Sequence, residues 1–585
     1  MSMAATPEHE ADAPPLAAVI GAGARRPVAA DERRAQAEWR LALVAAAFCM
    51  AFVAVALRMG ALALSEPAEP RVAAAAAEAH VSRAEILDRA GRPLAMNLPA
   101  WSAYAHPREI DDIDRAARRL AEALPGLDEA ALRERLGRGR LFEWIRRPIT
   151  PEQRQAIHDS GVPGVYFGAR EARVYPAGRM AAHILGGVRA GEEGVAGAEI
   201  FGLSGVERSR DEALRDPARE GAPLRLSIDL SAQAALTEVL EAGMRRLGAR
   251  GAAATLMDAR TGAILAMVSL PDFDPNARPD PNDPAVARAA PLRNRAVEGV
   301  YEFGSVAKPL FAALALERGL VDMTTMIDAK GPIFWGRSRF KDDYPMPPEM
   351  TVADAMARSS NVVAIRLALM AGTPAAQDFL ERLGMTRPVP LDLPEARLGQ
   401  PLAPRRWSDL STITMSFGYG LSVTQLHLAV AYAALVNGGF LVTPTLDPDA
   451  APPGESARVL SARTSAAMRA VLRATVERGT GRSAEAPGYE VGGKTGTANK
   501  LSETGRGYAD DRTMATFAAA FPMSDPAYVL LVTLDEPVDR SGPRPRRTAG
   551  ATVAPITGEA IRRLAPLLGL RPARPATPVT LAARG

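Results

Sequence analysis

An uncharged apolar run near the start of the chain is the strongest hydrophobic pattern in the sequence. Residues 41–57 carry no charge, and the apolar pattern continues to residue 64 with only Arg58 interrupting it. Because roughly 20 apolar residues cross a bilayer, residues 41–64 predict a single transmembrane helix. Arginines cluster in residues 25–40, which predicts a cytoplasmic N-terminus and an exported remainder. A cleaved signal peptide stays open as the alternative, although its apolar core is usually shorter.

Residues 65–220 contain short strand-like and helix-like apolar patterns and predict a separate domain. Apolar pairs at 86–87 and 94–95 flank a polar turn with Gly91, which is typical of a β-hairpin. Apolar residues then recur at helical spacing, and we interpret residues 108–160 as helical. No set of reactive side chains is recognisable in this part, so we expect a spacer or docking module.

Residues 221–568 alternate between strand and helix patterns and predict a larger domain with its own core. Its predicted strands are 224–228, 253–257, 263–268, 489–498, 513–521 and 527–534, and its clearest predicted helices are 230–247, 353–357, 426–436 and 553–568. Residues 501–511 are polar and predict a loop. The ends of the chain, 1–40 and 569–585, are rich in alanine and proline without apolar periodicity, which predicts disordered tails.

Composition excludes several classes of function. The net charge of +3 is small for 585 residues and the basic residues are spread out, so nothing indicates nucleic-acid binding. Cys49 is the only cysteine, which rules out an internal disulfide and a thiolate zinc site. The six histidines are scattered. We therefore expect no metal and no cofactor.

The candidate chemistry begins at Ser305. Gly304 precedes it, Lys308 follows three residues later, and the apolar run 310–316 predicts a buried helix. If Ser305 opens that helix, Ser305 and Lys308 share one face. A serine needs an adjacent base to act as a nucleophile, and a lysine with a lowered pKa can be that base. Ser-x-x-Lys also occurs by chance, so this motif alone leaves a purely structural role open.

Two further polar segments interrupt apolar surroundings later in the chain. Ser359 and Asn361 stand at the entry to an apolar helical run, where polar groups need partners. Lys494, Thr495, Gly496 and Thr497 form a glycine-containing strand whose ammonium and hydroxyl groups suit a carboxylate. Only five of the 70 basic residues are lysines, and two of those five lie in these candidate motifs. An arginine could not replace either as a base.

The three motifs in this order resemble those of the class B penicillin-binding proteins, the monofunctional peptidoglycan D,D-transpeptidases. Residues 83–95 resemble the signature of that family's pedestal domain, and residues 173–186 and 194–199 resemble other pedestal segments. Residues 293–296 and 417–420 resemble transpeptidase-domain landmarks. The resemblance covers about residues 40–565 and is greatest to the division-specific type.

The chain departs from the family pattern in a few places. Ala84 stands where the signature usually has glycine, and Phe303 where many members have proline. Val306 and Ala307 replace a more common threonine-containing pair. Because no reacting group is lost, we expect these differences to affect local geometry and β-lactam sensitivity more than the class of reaction.

The resemblance implies the fold. It predicts an α/β (α+β) penicillin-binding transpeptidase domain at 221–568, with an antiparallel sheet flanked by helices. An N-terminal β-rich pedestal at 65–220 and a single transmembrane helix precede that domain. The expected location is the bacterial cytoplasmic membrane, with a periplasmic catalytic domain.

The resemblance also implies the roles of the residues. Ser305 is the expected nucleophile, Lys308 its base and Ser359 a proton relay, with Lys494 keeping Lys308 neutral. Asn361 is expected to bind the donor peptide, and Lys494, Thr495, Gly496 and Thr497 to bind its terminal carboxylate. The backbone N–H groups of Ser305 and Thr497 are expected to hold the oxyanion.

Stem peptides of lipid-linked or nascent peptidoglycan and β-lactams are the ligands that the resemblance implies. The macromolecular partners it implies are a SEDS-family glycosyltransferase and other division proteins. Three alternatives share the motifs: an elongation-specific transpeptidase, a D,D-carboxypeptidase or β-lactamase-like hydrolase, and a scaffold that only binds muropeptides or drugs. The motifs themselves do not separate septal from elongation synthesis.

Overall fold

The computed structural model describes residues 28–64, 82–191, 200–502 and 507–573. A first unit contains one long helix, α1 (Val28–Leu64), whose residues Glu38–Gly60 are long and apolar enough to cross a membrane. Its large apolar side chains, such as Phe48 and Phe52, are exposed. A helix that is apolar all round and unpacked is compatible with a membrane span.

The second unit begins with a mixed sheet and short helices. Its strands are β1 (Ile86–Leu87), β2 (Pro93–Ala105), β3 (Glu143–Ile149), β4 (Val165–Val174), β5 (Gly187–Ala190), β6 (Ile200–Ser204) and β7 (Leu224–Arg225). Its helices are α2 (Ile113–Ala123), α3 (Glu129–Gly137), α4 (Pro151–Asp159), α5 (Ala182–Leu185), α6 (Gly205–Ser209) and α7 (Asp211–Arg215). β3, β2, β1 and β7 form one sheet, and β4 also pairs with β2.

The predicted β-hairpin is confirmed by the structure, whereas one predicted helical segment is wrong. β1 and β2 pair antiparallel around a turn in which Gly91 has a φ of +84°, which confirms the hairpin. The interpretation of 108–160 as wholly helical is wrong, because β3 interrupts it and pairs with β2. Trp144 and Ile145 alternate between half-buried and buried positions, and Pro148 is incompatible with a helix interior.

A buried ion network holds this part together. Arg83 and Arg173 each donate to the Glu207 carboxylate at 2.7 Å, and all three side chains are almost completely buried. Arg83 also pairs with Asp211 at 2.8 Å. The carboxylate of Asp88 in the hairpin turn accepts from the backbone of Leu230 at 3.3 Å, which joins the hairpin to the following domain.

The larger domain is built on a five-stranded antiparallel sheet in the order β14–β15–β16–β8–β9, as the resemblance predicted. These strands are β8 (Gly251–Asp258), β9 (Ile264–Leu270), β14 (Gly492–Leu501), β15 (Tyr508–Phe521) and β16 (Tyr528–Asp535). The short strands β10 (Ile327–Asp328), β11 (Ile333–Trp335), β12 (Ser338–Phe340) and β13 (Glu349–Met350) form two small pairs outside it.

Helices pack on both faces of this sheet. The helices of the domain are α8 (Leu230–Leu247), α9 (Pro284–Ala289), α10 (Lys308–Glu317), α11 (Val352–Arg358), α12 (Asn361–Ala371), α13 (Thr373–Arg382), α14 (Asp409–Ser416), α15 (Gln425–Val436), α16 (Ala462–Arg478) and α17 (Val553–Leu567). Leu530 and Val532 of β16 pack in one apolar cluster with α8 and α17, whereas Val529 and Leu531 pack in the other with α10, α12 and α15. This period of two follows from side chains alternating across a strand.

Most predicted elements of this domain are confirmed. Helix α8 begins at Asp229, whose carboxylate accepts from the backbone N–H groups of Ser231 and Ala232 as an N-cap. The strand predicted at 224–228 is shorter, since only Leu224–Arg225 pairs, in parallel with β1. The predicted loop 501–511 is partly strand, because β15 begins at Tyr508. The predicted disordered tail at 1–40 is wrong for its described part, since residues from Val28 onward belong to α1, where alanine, glutamate and arginine favour a helix. The expectations for 1–27, 65–81, 194–199, 503–506 and 574–585 lie outside the described residues.

Candidate active site

Ser305 lies in a tight turn at the start of α10. Residues Gly304–Ala307 form one 3₁₀ turn, and the α-helix itself begins at Lys308. The predicted helix start is therefore three residues early, but residues three apart are still aligned in a 3₁₀ turn. Ser305 is half-buried, whereas the Lys308 side chain is completely buried.

The turn is fixed by close backbone packing against β14. Gly304 has a φ of +59°, and a Cβ there would lie 2.4 Å from the carbonyl oxygen of Thr497. A Cβ on Gly496 would lie 2.3 Å from the carbonyl oxygen of Phe303. Only glycine fits at either position. These two glycines therefore bring the Ser305 turn and the Lys494–Thr497 segment together.

Ser359 joins the two buried lysines. Lys308 Nζ lies 2.5 Å from the Ser359 carbonyl oxygen and 3.1 Å from its hydroxyl. Lys494 Nζ lies 2.9 Å from the same hydroxyl. Ser359 separates α11 from α12 with a φ of +64°, an uncommon conformation that turns both its oxygen atoms toward the lysines. Among the described residues, the Ser305 hydroxyl makes no hydrogen bond.

Burial determines the protonation of both lysines. Desolvation lowers the pKa of Lys308 to about 7, and the charges of Asp343 and Asp342 partly oppose that shift. Desolvation, with the positive charge of Lys308 as the second cause, holds the pKa of Lys494 well below its usual range. Because two neighbouring amines oppose each other's protonation, this arrangement favours a neutral amine near Ser305.

Asn361 is held beside this network by a loop that the sequence analysis did not identify. Its backbone N–H donates to Asp342 Oδ1 at 2.5 Å, and its side-chain amide donates to the Lys341 carbonyl oxygen at 3.0 Å. The Asp342 carboxylate also accepts from the Ser360 hydroxyl and the Val362 N–H. Asp342 thus caps α12. It lies 19 positions before Asn361 in a run of charged residues, and no local sequence pattern connects it with the start of that helix.

Thr495 and Thr497 lie on the edge strand β14. The Lys494 ammonium donates to the Thr495 carbonyl oxygen at 3.0 Å, and the Thr497 hydroxyl accepts from the Ala549 N–H at 2.9 Å. The Thr497 carbonyl faces Gly304 rather than β15. In an antiparallel strand the N–H and carbonyl of one residue point to the same side, so the Thr497 N–H also faces the Ser305 turn.

Aromatic rings and one carboxylate border the site beyond Thr497. Tyr419 and Tyr508 pack edge to face with ring centroids 5.1 Å apart, and the Tyr419 hydroxyl accepts from the Asn499 N–H at 3.3 Å. The Glu302 carboxylate accepts from the Gly420 N–H at 2.6 Å and the Tyr508 hydroxyl at 3.1 Å. Of this border, residues 417–420 were noted from the sequence as a landmark, and Tyr508 lies in the polar segment 501–511 that was predicted as a loop.

No group of three or more His, Cys, Asp or Glu side chains that could hold a metal ion occurs in the part of the chain that the structure describes. The reactive groups that come together are instead the Ser305 hydroxyl in its turn, the buried amines of Lys308 and Lys494, and the hydroxyls of two threonines on β14. The predicted Asn361 lies next to this set, but its side-chain amide is bonded to the Lys341 carbonyl oxygen.

Comparison with known proteins identifies the family. The model of the penicillin-binding protein transpeptidase domain matches residues 252–561, and the model of the penicillin-binding protein dimerisation domain matches residues 78–218. The first match covers more than half of the chain. The protein therefore belongs to the penicillin-binding protein transpeptidases, which confirms the class predicted from the three motifs.

Named relatives agree with this class. The chain is 36% identical to the probable peptidoglycan D,D-transpeptidase FtsI of Caulobacter vibrioides, over 72% of this chain and 71% of the relative. It is 29% identical to the peptidoglycan D,D-transpeptidase FtsI of Escherichia coli, over 82% of each chain. The crystal structure of penicillin-binding protein 3 from Mycobacterium tuberculosis in complex with aztreonam superposes with a TM-score of 0.63 at 26% identity. That match covers 85% of this chain and 98% of the mycobacterial one.

Proposed function

We propose that this protein is a serine-type peptidoglycan D,D-transpeptidase that crosslinks stem peptides during septal wall synthesis. The observation that carries the proposal is the pair of buried amines joined by Ser359 beside the Ser305 turn. The relatives named FtsI support both the reaction and its use in division.

The hydrogen-bond inventory supports Lys308 as the base. A neutral amine has two N–H donors and one lone pair. The contacts of Lys308 with the Ser359 carbonyl oxygen and hydroxyl use both donors. The lone pair is then left for the proton of Ser305, one 3₁₀ turn away. Catalytic hydrogen bonds are often long in unliganded enzymes and tighten with substrate, which suits the unbonded Ser305 hydroxyl.

The same inventory supports Ser359 as the proton relay. A serine hydroxyl has two lone pairs and one proton. Because Lys308 and Lys494 both donate to Ser359 Oγ, its own proton can only be donated elsewhere. A leaving amine nitrogen above Ser305 is a suitable acceptor for that proton.

The reaction then proceeds in two balanced steps. Ser305 Oγ attacks the carbonyl carbon of the penultimate D-Ala while its proton passes to Lys308. The C–N bond breaks, the terminal D-Ala leaves with a proton supplied through Ser359, and a Ser305 ester forms. The amine of a second stem attacks this ester, its proton returns to Ser305 Oγ by the reverse route, and an amide crosslink is released.

Charge and donors in the site suit the proposed substrate. The hydroxyls of Thr495 and Thr497 and the amine of Lys494 can bind the terminal carboxylate, with Gly496 allowing close approach. The N–H groups of Ser305 and Thr497 can hold the oxyanion, a role that typically lowers a barrier by about 3–4 kcal/mol. Asn361 would bind the donor peptide after its amide leaves the neighbouring backbone carbonyl. A β-lactam would acylate the same serine.

Labelling of the Ser305→Ala variant with a fluorescent penicillin tests the proposal. We expect labelling to be lost, since the acyl acceptor is removed, while the thermal unfolding midpoint changes little at this half-buried position. The matched control is Ser411→Ala, at a half-buried serine of α14 whose hydroxyl bonds to Ser408 within its own helical turn. This control should be labelled like the wild type. Labelling that persists in Ser305→Ala would place the nucleophile elsewhere.

The location and domain roles belong to the same proposal. We infer that α1 anchors the chain in the cytoplasmic membrane with residues 1–40 in the cytoplasm, the span at 41–64 and the transpeptidase domain at 221–568 outside. Residues 65–220 would then act as a pedestal that docks partner proteins, among them a SEDS-family glycosyltransferase. Purification of the full chain with its membrane partners, followed by their identification, tests this arrangement.

A further inference from the structure

Thr480 contacts the proposed carboxylate-binding strand, although it belongs to none of the three motifs. It lies in the loop after α16, and its side chain is exposed. Its hydroxyl oxygen is 2.6 Å from the hydroxyl oxygen of Thr495, which is only 6% exposed. Thr480 is thus an accessible hydroxyl that reaches a buried one.

The backbone holds Thr480 in place. Its N–H donates to the Ala357 carbonyl oxygen at 3.0 Å, close in sequence to the proposed proton relay. On either side, the Gly479 and Gly481 N–H groups donate to the Thr475 carbonyl oxygen at 3.1 Å. A Cβ on Gly479 would lie 2.3 Å from the Ala357 carbonyl oxygen. The loop is therefore packed against α11 and β14 together, and the position of Thr480 is set by the fold.

The Thr495 hydroxyl has a limited set of possible hydrogen bonds. It carries one proton and two lone pairs. Lys494 Nζ donates to it across 3.5 Å, which occupies one lone pair weakly. If Thr480 donates to the other lone pair, the Thr495 proton has no remaining partner within the described residues and must point to a ligand.

We propose that Thr480 is a positioning residue that fixes the Thr495 hydroxyl as a hydrogen-bond donor and thereby sets the preference for a ligand ending in a carboxylate. This inference rests on the proposed function. A carboxylate presents only acceptors, whereas a carboxamide presents a donor that the fixed Thr495 hydroxyl cannot accept from. Without Thr480, the Thr495 hydroxyl can rotate and accept, so the discrimination weakens.

The experiment compares two ligands on the full-length protein. The probes are an acyl-D-alanyl thioester with a free terminal carboxylate and the same thioester with a terminal carboxamide, and the measured quantity is kcat/KM for acylation. In Thr480→Val, which keeps the side-chain shape, we expect the carboxylate-to-carboxamide ratio to fall about tenfold, the scale of one hydrogen bond to a charged group. Thr480→Ser keeps the hydroxyl and should restore the ratio.

The matched control is Thr513→Val. The Thr513 hydroxyl is buried on the neighbouring strand β15 without a hydrogen-bond partner in the described residues, so its loss should leave the ratio unchanged. Thermal unfolding of each variant shows whether it is folded. A purely structural effect of Thr480→Val would lower kcat/KM for both probes equally.

An unchanged carboxylate-to-carboxamide ratio in Thr480→Val would overturn the assignment, whether kcat/KM for the two probes stays at the wild-type values or falls by the same factor for both. A failure of the proposed function is recognised separately, because it appears as acylation that survives Ser305→Ala. Dependence on Ser305 with an unchanged ratio therefore rejects only the role of Thr480.

Discussion

Lys308 has one of the largest completely buried side chains among the described residues. The free-energy cost of burying its charge lowers its pKa, which allows it to act as a base. A charged amine is strongly disfavoured away from water, so desolvation moves its pKa toward neutrality. A general base works best when its pKa lies near the working pH. An arginine at this position could not serve, since it does not lose its proton in proteins.

The acylation rate should depend on pH with a midpoint near the lowered pKa of Lys308, about 7. The neutral amine is the active form, so the rate constant for penicillin acylation should rise with pH and level off above the midpoint. Below it, the rate should fall about tenfold per pH unit. Rapid-mixing measurements with a fluorescent penicillin check this, and a rate that is flat across the midpoint would contradict the assignment.

Asp343→Asn should move that midpoint to lower pH. The Asp343 charge favours the protonated form of Lys308, so its removal makes the neutral form easier to reach. Asp342→Asn is the less informative variant, because Asp342 also caps α12 through the Asn361 and Val362 N–H groups. A midpoint that stays in place or moves to higher pH would show that Asp343 does not act on Lys308.

Among secondary-structure elements, the contact between β14 and the Ser305 turn determines the geometry of the site. Two glycines from separate segments, Gly304 and Gly496, let the backbones approach too closely for any side chain. The glycine of the motif Lys-Thr-Gly-Thr is therefore required for backbone packing, whereas the other three residues contribute their polar groups. This is a property of the two elements together, not of either residue alone.

Gly496→Ala should abolish most acylation while leaving most of the fold intact. The new Cβ would meet the Phe303 carbonyl oxygen at 2.3 Å and push the Ser305 turn away. A displacement of about 1 Å can cost about 10²-fold in rate. The control is Gly137→Ala, where a Cβ meets nothing within 4 Å and should not affect acylation. Wild-type acylation in Gly496→Ala would show that the turn tolerates the displacement.

Glu207 joins three separate segments of the first part of the chain. Glu207→Gln keeps the shape but leaves Arg83 and Arg173 buried without their shared countercharge. Breaking a buried ion pair in this way costs about 3–5 kcal/mol, so the thermal unfolding midpoint should fall markedly. Glu212→Gln, an exposed position on the adjacent helix α7, is the control and should change the midpoint little. Equal midpoints for the two variants would mean that the network contributes no stability.

The whole molecule consists of a separate apolar helix and a compact remainder that carries every proposed reacting group. The exposed apolar surface of α1 is compatible with a lipid environment, whereas the proposed catalytic groups all lie within residues 81–585. Anchoring and chemistry are therefore expected to be separable by truncation.

Removal of residues 1–64 should give a water-soluble protein that is acylated by penicillin at the wild-type rate. The full chain should remain with membranes through a high-salt and alkaline wash, because about 20 apolar residues anchor a helix far more firmly than surface charge does. Fractionation followed by penicillin labelling checks both expectations. Release of the full chain by salt alone would contradict the anchor.

The sequence by itself determined the order of the three motifs, the apolar span and most strands and helices of the larger domain. These are local properties: the spacing of Ser305 and Lys308 lies within one helical turn, and alternation or helical periodicity is readable over a few residues. The helical prediction for residues 108–160 was wrong at β3, because the strand character of β3 depends on pairing with β2.

Only the tertiary structure decided which groups meet. Ser359 lies 51 residues from Lys308 and 135 from Lys494, and their contact depends on how α10, α11 and β14 pack together. The same holds for Asp342 at the start of α12 and for Thr480 beside β14, which no local pattern distinguishes from ordinary loop residues. Burial, which sets the pKa of both lysines, is a property of the surrounding fold, and a linear pattern of residue types does not specify it.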